Sequence, residues 1–210
     1  MSFRLNLNKL AEYLVETQDE TRRIIAVAGA PGSGKSSFAA ELSQHLDGKI
    51  NTQVLPMDGF HFDDTVLIAR GLMSRKGAPH TFDVGGYFSM LDRLSRDDGS
   101  EVAVPIFDRS VEIARAGARI IGPGTRLILT EGNYLLLNDP DWLPVRQFFS
   151  ETIFLEVPER VLKQRLYARW SDLGFEKKKI LEKLEGNDLP NARLVIRESS
   201  TASIIITNHG

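Results

Sequence analysis

The sequence predicts an α/β fold with a mostly parallel central sheet and helices on both of its faces. Two observations predict it. Short apolar runs recur at 24–28, 53–55, 127–129, 153–155 and 204–206, each rich in branched residues, which is the habit of strands buried on both faces. Between them lie helical spacings: Phe38, Leu42 and Leu46 at i, i+4, i+8, then Leu162, Leu166 and Trp170, with Leu7, Leu10 and Leu14 suggesting a helix ahead of the first strand. Gly48 is placed to end the first of these helices after strand 24–28, which begins a βαβ unit. Stretches 75–83 and 97–124 carry glycine and proline without a period and read as loops or a small hairpin region.

With 210 residues and 42% hydrophobic content, the chain can bury one substantial core, so a single domain over 1–210 is expected. Lys and Arg number 26 against 28 Asp and Glu, a net charge of −2 that leaves no basic excess for a nucleic-acid backbone. Cysteine is absent, and the four histidines, His45, His61, His80 and His209, are too scattered for a metal site evident from spacing. Neither a signal peptide nor a membrane-length apolar run is present, so the expectation is a soluble cytoplasmic protein.

Gly29-Ala30-Pro31-Gly32-Ser33-Gly34-Lys35-Ser36, extended by Ser37, matches the phosphate-binding loop G-x-x-x-x-G-K-[ST] in full and sits between a strand and a helix. Its glycines let the backbone curl round a phosphate so that main-chain amides and the helix N-terminus face the oxygens. Lys35 supplies charge for the β- and γ-phosphates of ATP, and the Ser36 hydroxyl suits Mg²⁺.

Parallel strands end on one edge of their sheet, so residues just past different strands converge there. Asp58 follows the run at 53–55 and Glu131 the run at 127–129. Either carboxylate can hold Mg²⁺. We read Asp58 as the base for an attacking hydroxyl and Glu131 as a metal or substrate carboxylate. Both acids also precede glycine, a common turn pairing.

On the helix near 158, Arg165 and Arg169 are four apart and share a face, placed to clamp phosphate oxygens and offset charge on the transferring group. The stretch 171–185 with Lys177-Lys178-Lys179 could close over the nucleotide, although such a lysine run more often serves solvation.

Together with the phosphate loop, Pro56-Met57-Asp58-Gly59-Phe60-His61, Arg75-Lys76-Gly77-Ala78-Pro79, Phe82-Asp83, Pro105-Ile106-Phe107-Asp108-Arg109 and Glu131-Gly132-Asn133-Tyr134 make the chain resemble one group of P-loop kinases. That group holds uridine kinase, phosphoribulokinase and bacterial pantothenate kinase, and the likeness is strongest to proteins provisionally called fructose transport system kinases. It spans about 23–207 in the same order. The resemblance implies a three-layer P-loop NTPase fold with a helical lid at about 160–190, an acid near the attacking hydroxyl at Asp58, and an acceptor pocket carrying His61, Arg75, Asp83, Asp108, Arg109 and Glu131. Asp83 has a second reading, as the cap of the helix holding Tyr87, Met90 and Leu91, and Asp108 with Arg109 has one as a solvated pair. Around Phe107 the chain departs from the aromatic and histidine pattern of uridine kinases.

A regulatory GTPase would need an N-K-x-D segment, and a transporter ATPase of the ABC type its glycine-rich signature; neither is present. A nucleoside monophosphate kinase and an ATP-binding regulator without catalysis remain as alternatives to an ATP-dependent kinase acting on a sugar, nucleoside or pantothenate-like hydroxyl.

Overall fold

The computed structural model describes residues 2–208, so His209 lies outside the described part. The chain runs β1 (Phe3–Arg4), α1 (Leu7–Thr17), β2 (Arg23–Gly29), α2 (Lys35–His45), β3 (Thr52–Pro56), α3 (Asp64–Ala69), α4 (Val84–Ser95), β4 (Val102–Asp108), β5 (Ile113–Ile121), β6 (Leu127–Gly132), β7 (Glu151–Glu156), α5 (Glu159–Asp172), α6 (Lys177–Lys183), α7 (Leu189–Glu198) and β8 (Ile204–Thr207). Six strands pair in the order β1-β8-β7-β2-β6-β3, every pair parallel, while β4 and β5 form a separate antiparallel hairpin. The stretch 97–124 is therefore a hairpin rather than loop. The pairing of β1 with β8 is an edge that two residues alone could not announce.

Alternation along β2 explains the three layers. Ile24, Ala26 and Ala28 share a core with Tyr87 and Leu91 of α4, Val195 of α7, and Trp142 from the segment between β6 and β7. Ile25 and Val27 point the other way, against Leu10 and Leu14 of α1 and Phe38 and Leu42 of α2. Helices thus cover both faces, and β6 between β2 and β3 is buried throughout. A third, smaller apolar cluster of Leu166, Ile180, Leu184 and Leu189 joins α5, α6 and α7 beyond the sheet edge.

Two junctions fix the loops that flank the site. Gly59 lies so close to the hairpin that a Cβ there would sit 2.6 Å from the Pro105 carbonyl oxygen. Polar bonds behind the sheet reinforce this corner: the Tyr87 hydroxyl lies 2.5 Å from Thr130 Oγ1, which donates to the Leu55 carbonyl at 3.0 Å. These bonds hold β6 against β3 immediately before Glu131.

Candidate active site

The β2–α2 turn has the backbone that a phosphate loop needs. Gly32 and Gly34 adopt φ of +80° and +88°, values that L side chains rarely take. Gly34 also caps α2 without any side-chain hydrogen bond, so the helix opens with its first amides turned to the loop interior and no residue of its own spent on them. Lys35 is buried, its ammonium held by the Ala30 carbonyl at 3.1 Å. Burial pushes its pKa down, against the pull of the Glu131 and then the Asp58 carboxylates.

Sheet register brings the acids to this loop. Glu131 pairs with Val27 on one side and with Pro56 on the other, which sets it between the start of the phosphate loop and the segment leading to Asp58. Only 5% of Glu131 is exposed. Burial first, and the Asp58 charge second, push its carboxyl above the usual range, while Lys35 and a hydrogen bond from Ser36 act in the opposite sense. That bond, Ser36 Oγ to Glu131 Oε1, is 2.9 Å long.

Asp58 stands in the 3-10 turn Met57–Phe60 just past β3. Its carboxylate accepts a 2.7 Å hydrogen bond from Arg109 Nη2, a pair that is open to solvent on the arginine side. His61 donates from Nδ1 to the Asp58 carbonyl at 2.8 Å, its ring lying 4.0 Å from Phe82 and 4.8 Å from Phe107 between centroids. Burial lowers the His61 pKa and favours the neutral ring. The two glycines after the acids have packing reasons beyond turn formation: a Cβ at Gly132 would meet Met57 Cβ at 2.5 Å, as one at Gly59 would meet the hairpin.

Other residues expected at the site are placed differently. Asp108 does not pair with Arg109: β4 ends at Asp108 and Arg109 opens the turn of the hairpin, while the Asp108 carboxylate takes Ser110 and Arg115, which with the Ser110 amide hold its pKa down at about 2. Asp83 accepts from the Gly86 amide at 2.8 Å as the N-cap of α4. Arg75 turns to the α6–α7 region, donating to the Gly186 carbonyl at 2.8 Å and Asn191 Oδ1 at 3.1 Å. Asn187 Nδ2 returns a bond to the Lys76 carbonyl at 2.8 Å, so the loop at 75–77 is stitched to the helices beyond the sheet.

Along α5, Arg165 reaches the phosphate loop, its Nη1 3.3 Å from the Ser33 carbonyl oxygen. Arg169 lies 5.4 Å from the Trp170 ring, which follows it directly, so the two do not take opposite sides of the helix. Burial lowers its pKa, and the Arg109 charge adds to that. Lys177, Lys178 and Lys179 are exposed at the start of α6.

Sequence reasoning passed over Asn208, whose Nδ2 donates to the Ser33 carbonyl at 3.0 Å and whose Oδ1 faces Arg165 at 3.4 Å. It directly follows β8, and the strand-end rule that pointed to Asp58 and Glu131 applies to it equally. Lys76 was also passed over as a side chain in its own right; it lies 5.5 Å from the centroid of the Phe107 ring, which Arg109 also approaches, at 5.8 Å.

Among the described residues no group of three or more His, Cys, Asp or Glu could form a protein-only metal cage. A lone hydroxyl–carboxylate pair, Ser36 with Glu131, is nevertheless what Mg²⁺ needs from a protein when phosphate oxygens and water complete its shell. The uncapped loop, Lys35 and this pair therefore fit a nucleotide triphosphate with its metal. Two concavities, of about 430 and 840 Å³, share Phe62, Phe82 or Asp83 with the acceptor-side segments but touch no residue of the phosphate loop. No helix of the described chain is long and apolar enough to cross a membrane.

No family model matches the chain. A crystal structure from Silicibacter sp. TM1040, provisionally named a fructose transport system kinase, is 38% identical and superposes with a TM-score of 0.89 over 96% of this chain and 98% of that one. The uncharacterized protein YggC of Escherichia coli (strain K12) is 31% identical over 191 residues, which are 89% of this chain and 78% of its own. A protein of Schizosaccharomyces pombe provisionally named uridine kinase C227.14 is 29% identical over 211 residues, 95% of this chain and 87% of its own. With the phosphate loop and strand-end acids in place, the chain belongs to the P-loop kinases whose members are named uridine kinase and pantothenate kinase, phosphotransferases with an alcohol group as acceptor.

Proposed function

We propose that this protein transfers the γ-phosphoryl group of Mg²⁺–ATP to a hydroxyl of a small molecule. The observation that carries the proposal is the register that sets Glu131 between Val27 and Pro56, so that Lys35, Ser36, Glu131 and Asp58 meet on one sheet edge. Lys35 and the main-chain amides of 29–37, Pro31 excepted, hold the β- and γ-phosphates. Ser36 and Glu131 would hold Mg²⁺, which would neutralise charge on the phosphate oxygens. Asp58 accepts the proton of the attacking hydroxyl as that oxygen bonds to the γ-phosphorus and the bond to the β–γ bridging oxygen breaks, leaving ADP and a phosphate ester. Arg165 and Arg169 offset charge on the moving group, and α5–α7 serve as a lid that keeps water from the γ-phosphate.

The same reading makes 1–210 one domain acting in the cytoplasm on ATP and a small acceptor, without nucleic acid or membrane. Fructose enters as an acceptor through the name of the Silicibacter protein. The test is ATP consumption across D-fructose, uridine, pantothenate and nucleoside monophosphates. Acceptor-dependent ADP release with an alcohol supports the proposal. Release only with monophosphates makes the protein a nucleoside monophosphate kinase, and ATP binding without release in any mixture makes it a regulator.

A further inference from the structure

We propose that Lys76 is a positioning residue that joins the helices beyond the sheet edge to the tip of the β4–β5 hairpin, so that nucleotide held beneath α5–α7 also orders the hairpin beside Asp58. The inference rests on the kinase reading above for the nucleotide, and on three consecutive residues for the link. Arg75 donates to the Gly186 carbonyl and to Asn191 Oδ1, both in the helical region past α6. The Gly77 carbonyl accepts from the buried Tyr134 hydroxyl at 2.5 Å, which gives the loop a pivot on the segment just after β6. Lys76 alone of the three reaches both sides. Its carbonyl accepts from Asn187 Nδ2 at 2.8 Å, while its ammonium donates to Asp64 Oδ1 at 2.6 Å and to the Glu112 carbonyl at 2.8 Å.

Irregular backbone stands at both ends of this link. On the helical side, Leu184–Asp188 winds as a π-helical turn, a form used in single turns and often where function needs it. Gly186 and Asn187 lie within that turn, and Asn187 Oδ1 is itself held by the buried Asn191 at 3.1 Å. On the hairpin side, Glu112 has φ of +56°, in the left-handed region that a residue with a Cβ occupies at a cost. Such a conformation persists where neighbouring groups over-determine it. Lys76 is one of those groups, since its ammonium holds the Glu112 carbonyl with its side chain only 16% exposed.

The hairpin tip matters because the site leans on it. Arg109, which opens the turn, bonds the Asp58 carboxylate at 2.7 Å, and the Pro105 carbonyl packs against Gly59. Order imposed on the tip is therefore felt along 57–61. Nucleotide that orders α5–α7 also orders Asn187, and through Lys76 it leaves the hairpin less freedom to lose when an acceptor arrives. Coupling of this kind is reciprocal, so an acceptor that orders the hairpin also favours the closed helices.

The experiment follows amide hydrogen exchange of the full chain with and without Mg²⁺ and the β,γ-imido analogue of ATP. In the wild type the analogue should slow exchange over 29–45, 177–198 and 102–121 alike, by at least ~3-fold in the hairpin. Lys76→Met keeps the carbonyl and the apolar stem, so it should lose the hairpin response while the other two segments keep theirs, and Lys76→Arg should restore part of it. Asn187→Ala touches no hairpin residue, yet it should lose the hairpin response as well, a result that a merely structural role for Lys76 does not give. A hairpin that answers the analogue undiminished in Lys76→Met or in Asn187→Ala overturns the inference, the signal then passing through Arg109 directly. A wild-type hairpin that stays indifferent while 29–45 responds overturns it too and leaves the kinase reading standing. No response at 29–45 in the wild type removes the nucleotide site, and both readings with it.

Discussion

The Ser36 hydroxyl donates a 2.9 Å hydrogen bond to Oε1 of Glu131, although 95 residues separate them in the chain. The bond ties the first turn of α2 to the centre of the sheet and gathers the oxygens proposed for Mg²⁺. It also leaves a carboxylate almost wholly buried beside Asp58, which is an expensive place for a negative charge. Because the folded-state pKa of Glu131 is raised, the folded chain keeps a proton that the unfolded chain has already released. Stability therefore falls as pH rises from the ordinary carboxylate range through the raised value.

Glu131→Gln removes that charge and keeps an acceptor for Ser36. We expect it to raise stability at neutral pH by about 1 kcal/mol, read as a Tm increase of ~2–4 °C that shrinks at acid pH. Phosphoryl transfer should fall ~10-fold or more in the same variant, through weaker metal binding. Thermal melts across pH, alongside kcat at several Mg²⁺ concentrations, check both halves.

Lys35 is the complementary charge. Lys35→Ala should weaken Mg²⁺–ATP binding by ~10-fold or more and lower the rate as well, since the ammonium serves both bound phosphates and the transferring group. Unaltered ATP titration in this variant would tell against the loop as the phosphate site.

Gly59 is required by packing. A Cβ there would fall 2.6 Å from the Pro105 carbonyl oxygen, and that atom belongs to the hairpin backbone and cannot swing aside. Gly59→Ala should destabilise the fold by about 1–3 kcal/mol and displace the β4–β5 hairpin, carrying Arg109 away from Asp58. Chemical denaturation measures the first effect. Faster amide hydrogen exchange over 102–121 measures the second.

Arg75 gives a test that separates an acceptor role from a lid role. Its guanidinium is engaged by Gly186 and Asn191. Arg75→Ala should loosen α6 and α7, lowering stability by about 1–3 kcal/mol and raising acceptor-independent ATP hydrolysis relative to transfer. A large rise in acceptor KM with no change in hydrolysis would return Arg75 to the acceptor pocket.

Much of the scaffold is legible in the sequence because the physics behind it is local. Buried parallel strands need continuous apolar runs, and a phosphate loop needs glycine at fixed offsets, so β2, β3, β6, β7 and β8 and the loop between β2 and α2 can be read directly. The convergence of Asp58 and Glu131 follows from strand polarity alone. Side-chain direction in the hairpin is another matter. A register irregularity between Val104 and Ile106 precedes Asp108 and Arg109, and a bulge of this kind changes which face each later residue takes. Nothing in residues 105–109 says that Arg109 faces Asp58 while Asp108 turns to Arg115. The clasp from Arg75 to Asn191 spans 116 residues and depends on where α7 docks, which no spacing rule supplies.

The direct test of the kinase reading is transfer from γ-labelled ATP, followed in the wild type and in Asp58→Asn with a productive acceptor present. Label should pass to a phosphate ester in the wild type, and kcat should fall by ~10²- to 10⁴-fold in Asp58→Asn with ATP affinity little changed. Label recovered only as inorganic phosphate whatever the acceptor, or transfer undiminished in Asp58→Asn, would contradict it.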